Sequence, residues 1–209
     1  MYFSRVLLDT SKRKTQVAIV SPNKIHGAVE EAFGERQSRN LWRIDKLRDK
    51  SYLLIVSAVK PDLSCIAAQF GFEGDCGESR EYDRLLNRIE KGSKWHFRLT
   101  ANPVHSLKRE KERGKVVAHT TEKYQLEWLY RQAEKKGFCI LPDAACVMES
   151  NWRIFTKRNT RQKVRILEVV FEGTLCVEDV DLFRDTLMSG IGREKAYGMA
   201  LLTIMRIGG

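Results

Sequence analysis

Twice along this 209-residue chain the hydrophobic pattern runs strand, helix, strand, strand, helix, strand, and that repeated order restricts the fold more than any single motif does. In the first round, residues 2–8 read as a strand. Ser21 and Pro22 supply an N-cap and a first-turn proline for a helix whose apolar stripe is Ile25, Ala28, Val29, Ala32 and Phe33. Residues 41–44 and 52–59 follow as strands joined by a charged turn, and Pro61-Asp62 opens a short helix to about residue 70. A closing strand is expected near 82–86, after a loop-like stretch over 71–80.

The second round starts at Trp95, where alternation sets Trp95, Phe97 and Leu99 on one face and His96, Arg98 and Thr100 on the other. A charged loop over 107–115 precedes a helix capped by Thr121, striped by Leu126, Leu129, Tyr130 and Ala133, and ended by Gly137. Two strands flank residues 155–163, a further helix carries Val180, Phe183 and Leu187 to about Gly190, and 201–207 closes the round. This order predicts an α+β chain of tandem ferredoxin-like (RRM-like) βαββαβ domains, residues 1–92 and 93–209, with the boundary at Lys91-Gly92.

Charge points to the partner class. The chain carries 37 Lys and Arg against 27 Asp and Glu, a formal +10, and the excess is uneven. Residues 1–92 hold 16 basic and 13 acidic side chains, residues 93–209 hold 21 and 14. A polyanion, nucleic acid first among them, is the expected partner. No apolar run approaches the roughly 20 residues that span a bilayer, and the opening Met-Tyr-Phe-Ser-Arg lacks a signal-peptide layout, which predicts a cytoplasmic protein without a membrane partner. Five cysteines without a C-x-x-C pair predict neither a disulfide framework nor a zinc site, and no cofactor motif is present.

Three segments carry candidate chemistry. Gly190, Gly192 and Gly198 allow close backbone approach to an anion, with Arg193 and Lys195 supplying charge, although the same spacing also serves ordinary turns. Residues 153–165 contain Arg153, Lys157, Arg158, Arg161, Lys163 and Arg165 with no acidic residue, and Asn159-Thr160 sits at a natural turn. Such a basic β-hairpin suits a nucleic-acid groove, and a solvated surface hairpin is the plainer reading of the same residues. His26 lies early in a helix, where the positive dipole end favours phosphate and an imidazole can donate or accept a proton. The position equally suits a solvated histidine on a helix flank. His96, His105 and His119 read as surface residues.

Taken together, the pieces resemble the CasE family, the CRISPR-associated endoribonucleases of type I-E (Cascade) systems. The resemblance rests on the opening Met-Tyr-Phe-Ser-Arg-Val, Ile25-His26 with Ala28-Val29 and Phe33, Phe97-Arg-Leu-Thr-Ala-Asn-Pro-Val104, Gln125-Leu-Glu-Trp-Leu129 with Gly137-Phe138, Phe171-Glu-Gly-Thr-Leu175, and residues 190–202. It implies metal-independent cleavage of a CRISPR repeat hairpin by attack of a ribose 2′-hydroxyl on its own phosphate, leaving a 2′,3′-cyclic phosphate and a 5′-hydroxyl. It further implies retention of the hairpin as a subunit of Cascade.

Within that resemblance His26 takes the place of the family histidine, as general acid to the leaving 5′-oxygen, with a base role left open. Lys24, the six basic hairpin residues and Gly190, Gly192, Arg193, Lys195 and Gly198 form the expected RNA-binding set. Two positions depart from the family pattern: a tyrosine common three residues before the histidine is Asn23 here, and Ala200 stands where a glycine is usual. A non-catalytic tandem RNA-binding subunit, or a structural subunit that only neutralises RNA, would use the same basic surface.

Overall fold

The computed structural model describes residues 1–34, 40–107, 115–156 and 162–207. The first sheet is built from β1 (Tyr2–Leu8), β2 (Leu41–Leu47), β3 (Lys50–Ser57) and β4 (Glu78–Glu81), in the order β2-β3-β1-β4 with every neighbour antiparallel. Helices α1 (Arg13–Val20), α2 (Pro22–Glu31) and α3 (Ser64–Phe70) cover one face. Between the sheets in sequence lies the one-turn α4 (Asp83–Leu86).

The second sheet comprises β5 (Lys94–Ala101), β8 (Phe138–Cys139), β9 (Ala145–Thr156), β10 (Lys163–Val177) and β11 (Leu202–Arg206), ordered β11-β5-β10 with β8 and β9 both on the outer side of β10. Helices α5 (Glu122–Glu134) and α6 (Val180–Ser189) belong to this half. A two-stranded ribbon of β6 (Val104–Leu107) and β7 (Lys115–Ala118) precedes α5, and a 3₁₀ turn at Lys195–Tyr197 precedes β11. In both sheets the first strand lies between the last and the next-to-last, which is the ferredoxin-like order expected from the sequence.

The packing of β3 explains why its sequence is an unbroken apolar run. Leu53 and Ile55 face α1 to α3, together with Val6, Ile25, Val29 and Phe70. Leu54 and Val56, on the opposite face, join an apolar cluster with Leu99, Phe171, Leu201 and Leu202 of the second half. A strand buried on both sides cannot alternate with polar residues.

Several local expectations are corrected. The closing strand of the first round is β4, not residues 82–86. It is the polar edge Glu-Ser-Arg-Glu, held by Ser4 to Ser79 at 2.8 Å and by an Arg5–Glu78 ion pair, so no apolar alternation announces it. The apolar Tyr82, Leu86 and Ile89 instead turn through α4 into the shared core. Helix α1 has no counterpart in the expected order. Neither Ser21 nor Thr121 makes a side-chain cap bond, although both stand at helix N-termini. The buried stripe of α5 is Gln125, Trp128, Leu129 and Ala133, with Leu126 and Tyr130 only partly covered. Gly137 is left-handed at φ 78°, as its place after α5 predicts.

Candidate functional site

Helix α2 places His26 one turn beyond Pro22, whose ring presets the first helical φ. The His26 side chain is 39% exposed, yet its Nδ1 is buried and has no hydrogen-bond partner. Glu30, one turn further on, lies 3.9 Å from that nitrogen, too far for a hydrogen bond. The exposure therefore belongs to the rest of the ring. Lys24 is exposed on the same helix. Asn23 points elsewhere: its Nδ2 donates to the carbonyl oxygen of Thr156 at 2.9 Å, tying the first turn of α2 to the last residue of β9.

Strands β9 and β10 are the arms of the basic hairpin, and Lys157, Arg158 and Arg161 lie outside the described residues. Alternation divides the remaining basic side chains between two faces. Arg153 turns inward, where its guanidinium donates to Glu168 at 2.8 and 3.0 Å. Arg165 turns outward, with its guanidinium 4.1 Å over the centroid of the Trp152 ring. Lys163 is exposed beside it. Trp152 went unnoticed in the sequence, where only the basic residues of this segment stood out.

The glycine segment leads from α6 to β11. Its close approaches are to the protein's own interior: a Cβ on Gly198 would come within 2.6 Å of the Trp42 ring, and one on Gly190 within 2.6 Å of the Ala200 carbonyl oxygen. Gly192, at φ 94°, lies against the Trp128 ring with more room. Ala200 is left-handed at φ 80°, with its N–H donating to Thr100 and its carbonyl accepting from Ile191, so the segment keeps the glycine-like backbone where the glycine is missing. Arg193 is exposed, and the Lys195 ammonium donates to the Ser189 carbonyl.

These three segments meet. A cavity of about 300 Å³ is lined by Pro22 and Ile25 of α2, Arg153 and Glu168 of the hairpin, Tyr197 and Gly198 of the glycine segment, and Arg43 and Arg98 from β2 and β5. The Tyr197 ring also packs edge-on against Phe155 at 4.7 Å. Beneath the cavity Arg43, only 2% exposed, uses all five of its N–H groups. Two go to the Asp45 carboxylate at 2.6 Å each, and the others to the carbonyls of Arg98 and Leu201 and to Thr203 Oγ1. One guanidinium thus fastens β2 to β5 and β11, and a side chain read only as one of many charges is the bond between the sheets.

Of the other histidines, His96 is exposed beside Thr174 Oγ1 at 3.3 Å. His105 and His119 stack across the β6–β7 ribbon at 4.5 Å. Burial and the neighbouring His105 and Arg131 push the His119 imidazole below its ordinary range, against a smaller opposing pull from Glu127. Among the described residues no cluster of three or more metal-ligating side chains occurs, and no helix is long and apolar enough to cross a membrane.

Comparison with known proteins agrees with this fold. The CRISPR-associated endoribonuclease Cse3 of Thermus thermophilus is 27% identical over 220 residues, covering 98% of this chain and 99% of the relative. The solved structure of Thermus thermophilus Cse3 bound to an RNA representing a pre-cleavage complex superposes with a TM-score of 0.80 at 24% identity, covering 98% of each chain. The Escherichia coli K-12 protein Cas6e superposes at 0.64 and 20% identity, over 99% of this chain and all of that one. The CasE resemblance is borne out at the level of family and fold. With its model matching residues 1–206, the CRISPR associated protein family is the family to which this chain belongs.

Proposed function

We propose that this chain is an endoribonuclease that cuts repeat hairpins in precursor CRISPR RNA and stays on the hairpin as a Cascade subunit in the cytoplasm. The observation that carries the reading is the Asn23–Thr156 bond, which brings the His26 helix against the basic hairpin at a cavity shared with the glycine segment. Residues 1–92 then act as the domain holding the catalytic helix, and residues 93–209 as the domain gripping RNA through the hairpin.

The chemistry needs no external nucleophile. The 2′-hydroxyl beside the scissile phosphate forms a bond to phosphorus, the bond to the 5′-oxygen breaks, and the products are a 2′,3′-cyclic phosphate and a 5′-hydroxyl. One proton leaves the 2′-oxygen and one reaches the departing 5′-oxygen. His26 supplies the second from the exposed side of its ring. Asn23 has no titratable proton and cannot take the base role of a tyrosine at its place. Lys24, Arg193 and Lys195, with the hairpin residues Arg153, Lys157, Arg158, Arg161, Lys163 and Arg165, hold RNA phosphate and base edges. Gly190, Gly192 and Gly198 shape the loop that carries two of these charges.

The test is a labelled repeat hairpin incubated with the protein in excess EDTA. Cleavage persists, and it disappears when the single ribose at the scissile bond is 2′-deoxy. Cleavage of the deoxy substrate, or a chemical step that requires added divalent metal, overturns the mechanism. Intact RNA under all conditions, with tight binding, favours the non-catalytic RNA-binding subunit instead.

A further inference from the structure

We propose that Trp152 and Arg165 form a stacking platform for an unpaired nucleobase of the RNA, on the face of the hairpin turned away from His26; this rests on the RNA-processing reading above. The two faces of the β9–β10 ribbon differ in chemistry. The inner one carries Glu149, Arg153 and Glu168 around the cavity. On the outer one, Trp152 stands opposite Leu167, Ile154 opposite Arg165 and Thr156 opposite Lys163, so its end next to the tip holds two cations and no carboxylate. Helix α5 reaches this face at Ser150, whose hydroxyl accepts from Gln125 Nε2 at 3.0 Å.

Beyond Ser150, Leu167 stays buried while Trp152 and Ile154 open to solvent. Trp152 is 42% and Ile154 53% exposed, whereas the chain's other tryptophans, Trp42, Trp95 and Trp128, are buried. The Arg165 guanidinium lies over the Trp152 ring, its central carbon 4.1 Å from the centroid, and Arg165 is itself exposed, so the pair presents a planar cation to solvent. A planar cation on an aromatic ring matches a nucleobase and its phosphate together, the base by stacking and the phosphate by charge. Within a stem each base buries both faces against its neighbours, so the platform takes an unpaired base. That base comes from the hairpin loop or from the single strand flanking the stem.

The probe is a repeat hairpin made uncleavable by one 2′-deoxy ribose. Titrated into the wild-type protein, it should quench the emission of the exposed Trp152, and Trp152→Ala should weaken its binding roughly 5- to 100-fold, the range of one lost base stack. Trp152→Phe should keep most of the affinity. The Trp152→Ala deficit should shrink when either the flank is removed or the loop is replaced by an abasic linker, and the RNA for which it shrinks identifies the source of the base. Thermal unfolding of each variant checks folding, and Arg165→Gln, expected to weaken the same RNA selectively, serves if Trp152→Ala does not fold. Wild-type affinity in Trp152→Ala, or an equal loss on a blunt stem with an abasic loop, overturns the platform alone. Failure of the wild-type protein to bind any repeat hairpin overturns the RNA-processing reading as well.

Discussion

His26 and Gly198 show two ways in which a single residue is constrained. His26 is free of packing duty on one side of its ring, so His26→Ala should leave folding and hairpin affinity near wild type while slowing single-turnover cleavage by about 10² to 10⁴, the usual worth of a positioned acid or base. A wild-type rate in that variant would return His26 to the role of a solvated histidine on a helix flank. Gly198 is constrained by the interior instead. At φ 81° and with a Cβ position 2.6 Å from the buried Trp42 ring, Gly198→Ala combines backbone strain with overpacking and should cost about 2–4 kcal/mol. Gly192→Ala, strained in φ but 3.4 Å from Trp128, should cost about 1–2 kcal/mol. Chemical denaturation of the two variants checks the order; equal stabilities would mean that the Trp42 contact yields.

At the scale of elements, the β6–β7 ribbon carries a pH dependence whose sign follows from His119. Its neutral form is favoured in the folded state, because its burial and the stacked His105 both oppose a second charge, with Arg131 adding to them and Glu127 against. The unfolded chain therefore binds more protons, and stability present at pH 7 is lost as pH falls through the unfolded value of about 6.5 toward the depressed folded one. The carboxylates held below their ordinary range, Asp9, Asp62, Glu78 and Asp83, lose their contribution only at more acid pH. Melting temperature should fall between pH 7 and 5, and His119→Gln should flatten that part of the profile; an unchanged slope would remove His119 from it. The sequence made the long elements readable because β1, α2, β5 and α6 carry their burial in their own periodicity. It concealed β4, whose strand state is imposed by β1, and the bond from Asn23 to Thr156, which links residues 133 apart and leaves no local pattern. The three segments were visible singly; their meeting at one cavity, which Arg153 and Gly198 line, was not.

For the whole molecule, the decisive contact is the Arg43 guanidinium. Arg43→Ala strips Asp45 of its bidentate partner and takes a donor from the buried Leu201 carbonyl and from the Arg98 carbonyl, which keeps a 3.3 Å bond from Thr203 Oγ1; the loss should cost about 3–5 kcal/mol, or roughly 6–20 °C in melting temperature for a chain of this size. Calorimetry that shows a loss of under about 1 kcal/mol would mean that the Arg98 guanidinium, 3.5 Å from Asp45, takes over the pairing. The same guanidinium, with Leu54 and Val56 on the far side of β3, has a consequence for anyone who would divide the gene. A fragment ending at Gly92 would carry a wet hydrophobic wall and a five-pronged donor with most of its acceptors left on the other fragment. Such a piece should precipitate or cling to chaperones when made alone, and should become soluble only when residues 93–209 are produced beside it in the same cell.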